Sequence, residues 1–288
     1  MKLNAFTDNN LNKKCGFLFL VAYFSFAVYS VIASLIVNAL KITGNVYYIF
    51  SSLPIMLSVI TTLLLAPKEN RITKHAFNVK IKAIYYIFAV ILAFAMLFGF
   101  GFTNGLVELF FNKLGVFFNS NSPKVNTLLD YVILTVFVAI IPAVFEEILF
   151  RGILLKNLNA RPVFCVLVSA LCFSFYHGSV VKLLYQFIFG VMLALIFYSS
   201  KSLIPCIIAH FFNNFIILTF YFVGVNALPM LWWVFFLGII LASVIFIFTL
   251  KKVKSYSVDN NGEIKDFFIP YGLLALCATL ITILGGIV

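Results

Sequence analysis

Charge is what this chain has least of. Only 10% of its 288 residues are charged and only nine are acidic, against 64% hydrophobic residues and a mean hydropathy of +1.13. That balance excludes a water-soluble globule. Thiol chemistry is also thinly represented. The five cysteines, Cys15, Cys165, Cys172, Cys206 and Cys277, include no C-x-x-C pair, and each lies in or at the edge of an apolar segment. They read as small buried hydrophobes, which argues against a disulfide framework and a thiolate metal cluster. There is no internal repeat and no pair of interrupted half-helices, so a transporter of the repeat type has little support. No soluble domain and no low-complexity tract interrupt the hydrophobic text. The first apolar run, from Gly16 to about Leu40, is longer than the h-region of a cleavable signal and reads as a first membrane span.

What is present is a series of runs long enough to cross roughly 30 Å of hydrocarbon, about 20 residues each. Hydropathy predicts an all-α polytopic bundle with spans at 16–40, 45–66, 83–104, 127–155, 162–179, 181–200, 202–223, 228–250 and 267–287, nine in number with eight as the alternative. The whole chain, 1–288, reads as one membrane domain, with residues 127–223 as its core and 1–126 and 224–288 as flanking spans. Links between the fourth and seventh spans are very short, which makes those helices antiparallel neighbours. A formal charge of +11 would suggest an anionic partner for a soluble protein, but here its distribution reports orientation. With the N-terminus in the cytoplasm, only Lys41, Lys113, Lys124 and Lys182 fall outside, and the other 16 of the 20 Lys and Arg fall on or near the cytoplasmic side. The expected surroundings are a lipid bilayer, with no nucleic acid.

Of the nine acids, Glu146 and Glu147 alone sit deep in a predicted span, in the stretch AVFEEILFRG. An ionisable group at that depth costs about 2.5–3.5 kcal/mol on insertion scales, so a functional site is the default expectation. Helical spacing separates the two. Glu147 and Arg151 are i and i+4 with the acid N-terminal to the base, the favourable order for an intrahelical pair, and Arg151 is placed near enough the cytoplasmic end to reach polar surroundings. Glu146 is rotated by about 100° and has no partner on its own helix.

Candidate partners come from the histidines. His75 lies in a basic loop, whereas His177 and His210 lie in the fifth and seventh spans. The string FSFYH puts Phe173 and His177 one helical turn apart, and HFFNN does the same for His210 and Asn214. Counting from the nearest terminal charges at a rise of about 1.5 Å per residue, Glu146 lies about 15 Å deep, His177 about 24 Å, His210 about 13 Å and Asn214 about 20 Å. That scatter forbids direct contact unless helices tilt or the fifth span sits lower.

A carboxylate, two imidazoles and an amide in a dry cavity are the parts of hydrolysis by activated water. Glu146 suits a general base. His177 and His210 suit orienting the water, or with Glu146 a two-His, one-carboxylate zinc site with one open position. Asn214 suits donation to an oxyanion. A serine or cysteine nucleophile would come from Ser169, Ser174, Cys165 or Cys172, none of which has helical spacing to a histidine. Two other classes stay open: a proton-coupled transporter using Glu146, His177 and His210 as a relay, and a non-proteolytic immunity or scaffold protein that binds a toxin or another membrane partner.

In order, Glu146-Glu147-Ile-Leu-Phe-Arg151, Phe173-Ser-Phe-Tyr-His177 and His210-Phe-Phe-Asn-Asn214, with LFRGILL, QFIFGVMLALIF and SLIPCIIAH around them, resemble the CPBP family of intramembrane proteases, also called the Abi or type II CAAX prenyl endopeptidase family. The resemblance spans residues 127–223. It implies a membrane endopeptidase acting on a peptide or protein substrate at the membrane, with Glu146 activating water, His177 as its partner and His210 with Asn214 stabilising the tetrahedral intermediate. Glu147 and Arg151 are then supporting residues, with Phe173 packed beside the site. Both a Zn2+ ion held by Glu146, His177 and His210 and metal-free water activation are compatible with it. A bacterial plasma membrane is the expected location on the same ground.

Overall fold

The computed structural model describes residues 10–118, 125–224, 231–254 and 263–285. Among these, every regular element is helical. Nine helices follow the predicted spans: α1 (Leu11–Ala39), α2 (Asn45–Leu65), α3 (Ala83–Lys113), α4 (Leu128–Leu155), α5 (Pro162–Tyr176), α6 (Val180–Ser200), α7 (Ile204–Phe222), α8 (Trp232–Lys254) and α9 (Lys265–Ile283). Eight are long and apolar enough to cross a membrane, and α5, with 15 residues, is shorter. The chain is thus a multi-pass membrane protein whose outer surface is apolar, with Phe24, Leu35, Leu64, Leu109, Trp232, Trp233 and Ile281 exposed where lipid would lie.

Local chemistry sets the helix ends. Asn10 caps α1 by accepting from the N–H groups of Asn12 and Lys13, and Thr127 with Asp130 forms a capping box on α4. Pro162 and Pro205 stand in the first turns of α5 and α7, where a missing N–H costs nothing. Within α4 the ladder widens to π geometry over Thr135–Ile140 and again over Ile148–Leu155, on either side of Ile141–Glu147. Pro142 cannot donate to the carbonyl one turn back, which loosens the turn before it. Single-turn widenings of this kind are frequent where a helix carries a site.

At one end of the bundle the connecting segments tie to one another. Asn12 Nδ2 donates to the carbonyls of Asn159 (2.8 Å) and Glu263 (3.0 Å), Asn159 N–H donates back to Asn12 Oδ1 (2.7 Å), and Asn10 Nδ2 donates to Asp266 (2.7 Å). Lys156 Nζ reaches the Arg71 carbonyl and the Leu203 N–H reaches the Ala76 carbonyl. The start of α1, the 66–82 loop, the α4–α5 and α6–α7 connections and the start of α9 therefore share one end, the alternation that the distribution of Lys and Arg predicts.

Helices cross closely where side chains are absent. A Cβ on Gly99 of α3 would stand 2.8 Å from the backbone of Gly238 and Ile239 in α8, and a Cβ on Gly16 of α1 would stand 2.2 Å from the Phe267 carbonyl oxygen in α9. Small residues at such crossings let dispersion contacts accumulate without a hydrophobic driving force. Two sequence expectations are corrected here. Cys277 is exposed on α9, unlike the other four cysteines, because it faces outward on a peripheral helix. Arg151 does not reach polar surroundings: it is fully buried, because α5, α6 and α7 close around the end of α4. Gly99→Val should overpack the α3–α8 crossing and cost about 1–3 kcal/mol, read as a lower thermal midpoint in detergent, whereas the same change at the open Gly105 should leave the midpoint in place.

Candidate active site

Glu146 and Glu147 leave α4 in different directions. Glu147 is wholly buried and its Oε1 accepts from Arg151 Nη1 at 2.9 Å. The guanidinium also donates from Nη2 to the Gly190 carbonyl of α6 at 3.0 Å and lies 4.6 Å above the Phe173 ring of α5. A single side chain thereby joins three helices. Gly190 makes this possible: its Cβ would press at 3.1–3.2 Å on Ala170 and Phe173.

The fourth helix of the core enters through His210. Its Nδ1 lies 2.9 Å from the same Glu147 Oε1. Since that carboxylate is paired to Arg151 it is an acceptor, so Nδ1 carries the proton. Phe173 and Phe189 stand edge-on to the imidazole at 5.7 and 5.6 Å, which fixes the ring plane. His177 is anchored in the same manner by another partner: its Nδ1 lies 2.8 Å from the Phe173 carbonyl, which can only accept.

With both Nδ1 atoms committed as donors, both Nε2 atoms point at Glu146. His177 Nε2 is 3.5 Å and His210 Nε2 is 3.9 Å from Glu146 Oε2, and that oxygen is buried without a hydrogen-bond partner. Neutral imidazoles present lone pairs at Nε2, so three acceptors face one point. Such an arrangement calls for a donor between them, and a water supplies two O–H groups to it.

Depth counting put these side chains too far apart because it hung three upright helices from one level of charge. They nevertheless meet, with His177 Nε2 3.5 Å from Glu146 Oε2. His177 caps α5, and Gly178 follows at φ +61°, a left-handed turn that suits glycine.

Glu146 and His177 border a cavity of about 540 Å³. Phe137, Val138, Pro142 and Tyr176 of the predicted core line it as well, and further walls come from outside that core: Tyr23 and Ser30 of α1, Ser52 of α2 and Thr282 of α9. Tyr23 hydroxyl and Thr282 Oγ1, 2.9 Å apart, tie α1 to α9 at its rim. Tyr176 hydroxyl donates to Ser58 Oγ at 3.0 Å, whose own proton goes to the Ile55 carbonyl, and so ties α5 to α2. Glu146 and His177 keep 12% and 19% of their side-chain surface exposed, against 3% for His210. The cavity therefore meets the dyad of Glu146 and His177, with His210 behind it.

Asn214 is half-buried on α7 one turn from His210, and its neighbour Asn213 is buried and accepts from Tyr185 of α6. Ser169 and Ser174 donate to the carbonyls of Phe150 and Leu183, Cys165 lies against the carbonyls of Leu158 and Ala160, and Cys172 is fully buried. Among the described residues, none of these four meets a histidine. Donor spacing bears on the zinc alternative, and the 3.5 Å from Glu146 to His177 is close to what a tetrahedral site requires. Ligands at about 2.1 Å in tetrahedral array stand about 3.4 Å apart. The 3.9 Å to His210 is wider, and among the described residues no group of three or more His, Cys, Asp and Glu side chains is gathered to hold a metal ion.

Four contacts escaped the sequence: His210 to Glu147, Arg151 to the Gly190 carbonyl, Tyr185 to Asn213, and the cavity walls from α1, α2 and α9. Helical phase names the face a residue occupies but not which helix lies opposite. Asn213 carried a signal in its adjacency to Asn214. Tyr185 carried none.

Residues 128–216 match the family described as Type II CAAX prenyl endopeptidase Rce1-like. This agrees with the resemblance carried by the three motifs. No curated protein and no solved structure matches the chain.

The buried pair makes a separable prediction. Glu147→Ala should cost about 3–5 kcal/mol by leaving the guanidinium charged and unpaired, read as loss of folded protein on gel filtration. Glu147→Leu combined with Arg151→Met should recover folded protein but not activity, because His210 Nδ1 still lacks its acceptor. Recovery of activity in the double variant would show that Glu147 has no part in holding His210.

Proposed function

We propose that the protein is an intramembrane endopeptidase that hydrolyses a peptide bond of a membrane-associated substrate with water activated by Glu146. The observation that carries this reading is the unpartnered Glu146 Oε2 facing two imidazole Nε2 atoms at the wall of a largely apolar cavity. The family match over residues 128–216 supports the same reaction class. Substrates fitting such a cavity are a lipidated C-terminus, a peptide leader or a transmembrane segment.

In this reading a water is held between Glu146 Oε2 and His177 Nε2. Glu146 takes one of its protons as the water oxygen bonds to the scissile carbonyl carbon. The carbonyl oxygen becomes an oxyanion and accepts from Asn214 Nδ2 and from His210. His210, whose Nε2 is a lone pair in the free site, donates there only after taking up a second proton from solvent, which it returns to solvent on product release; Glu147 Oε1 at Nδ1 balances that charge while it is held. The tetrahedral intermediate collapses by breaking the C–N bond, and the proton held on Glu146 passes to the leaving nitrogen, directly or through His177. One water is consumed and one acid and one amine are formed. Phe173 holds the geometry by touching both imidazole rings and the guanidinium. No step is routed through a metal.

Orientation follows the same proposal: the polar end formed by residues 10–14, 66–82, 156–161, 201–204 and 263–267 faces the cytoplasm of a bacterial cell, its cations meeting an anionic leaflet.

Two measurements test the chemistry on full-length protein in liposomes, with a fluorescence-quenched farnesylated peptide and an equally labelled apolar transmembrane peptide as probes. Glu146→Gln should lower cleavage by at least about 100-fold, the scale of a lost general base, with an unchanged melting profile. Cleavage by the variant at the wild-type rate would remove Glu146 from the reaction, and cleavage of neither probe by the wild-type protein would leave a non-proteolytic scaffold. In the second, incubation with 1,10-phenanthroline followed by dialysis should leave cleavage unchanged. A loss that added Zn2+ restores would replace the metal-free route with a zinc one.

A further inference from the structure

Asn213 and Asn214 both lie within a turn of His210, so the sequence alone leaves two carboxamides for one role. The structure separates them through their hydrogen bonds. Tyr185, a buried residue of α6, donates its hydroxyl proton to Asn213 Oδ1 at 2.5 Å. A carboxamide has one accepting end and one donating end. With Oδ1 taken by the phenol, the end left to Asn213 is Nδ2, and it donates to Asn214 Oδ1 at 3.4 Å. The bond commits Asn214 in turn: its oxygen is held towards Asn213, which leaves its own Nδ2 as the free end.

Helical phase gives that end a direction. Asn213 stands about 60° to one side of His210 around α7 and Asn214 about 40° to the other. The first is 2% exposed and closed against α6. The second is half-buried on the other side of His210. Unheld, a terminal amide can present oxygen or nitrogen with little difference in shape. Oxygen presented to a developing oxyanion would repel it, so an unoriented Asn214 would spend part of its time opposing the reaction.

We propose that Tyr185 and Asn213 are positioning residues, a phenol and an amide in series that hold Asn214 with its N–H2 directed into the site. This rests on the oxyanion role given to Asn214 above. Neither residue touches substrate; both act through Asn214. The chain of donors has a fixed sense from Tyr185 to Asn213 to Asn214, and all three groups are neutral, so it sets an orientation without adding charge to the membrane interior.

The test is a double-mutant cycle on full-length protein in liposomes with the farnesylated and transmembrane probes. Tyr185→Phe should lower kcat about tenfold, the worth of one hydrogen bond at the upper end of its usual range, with KM within twofold. In an Asn214→Ala background the same change should cause no further loss. A full kcat in Tyr185→Phe overturns the proposal, and so does an equal loss in both backgrounds, which would mean a structural effect independent of Asn214. If Tyr185→Phe lowers the thermal midpoint, Asn213→Asp gives the reading instead: it keeps the acceptor for Tyr185 and removes the donor to Asn214, and wild-type kcat in it overturns the proposal. Glu146→Gln run in parallel keeps the two readings apart. Wild-type cleavage by that variant removes the water-activating role of Glu146, whereas a dead Glu146→Gln with an additive cycle removes only the positioning role.

Discussion

The guanidinium of Arg151 is the constraint on which the core depends. It is wholly buried, and it draws α4, α5 and α6 together through Glu147, the Phe173 face and the Gly190 carbonyl. Since Glu147 also takes the Nδ1 proton of His210, the fourth helix is registered by the same charge pair. A buried ion pair is weak evidence for stability, because its desolvation cost rivals its attraction. Its better attested contribution is specificity of register, and here the registered elements are those that bring His177 and His210 each within 4 Å of Glu146.

The two glutamates illustrate how adjacent identical residues acquire opposite tasks. Glu147 has its hydrogen-bonding oxygen shared between a cation and an imidazole, and no surface. Each keeps one buried oxygen, Oε2, without a hydrogen-bond partner, but only Glu146 borders the cavity. The first is over-determined and holds geometry; the second is under-determined and is available to a reacting molecule. Buried polar groups left unsatisfied are rare in folded proteins, and an explanation by a water or a substrate is the ordinary one.

Much of this was legible beforehand, and the unread part has a common cause. Nine apolar stretches gave nine helices with ends within a few residues of those expected, apart from α3, which runs on to Lys113. Hydropathy reports solvent, and solvent decides the fold class here. The pairing of Glu147 with Arg151 was legible because both lie on one helix at a spacing fixed by its pitch. The surroundings of Arg151, the reach of His177 and the link from Tyr185 to Asn213 depend on how helices tilt and which neighbours they select. Those choices are made by small residues such as Gly190 and Gly99, whose importance lies in the room they leave.

The brevity of α5 has an energetic side. At about 1.5 Å per residue its 15 residues cover about 22 Å, short of the roughly 30 Å of a bilayer core. Its end, His177, and the glycine turn after it face the cavity instead of crossing to the far boundary. Over the site the apolar slab is therefore locally thin, with hydroxyls of α1 and α2 in the gap. A carboxylate beneath a thinned slab is charged at lower cost than one under the full thickness. On the proposed hydrolysis, the same gap is the route by which water reaches Glu146, so the length of one helix bears on how the site is hydrated.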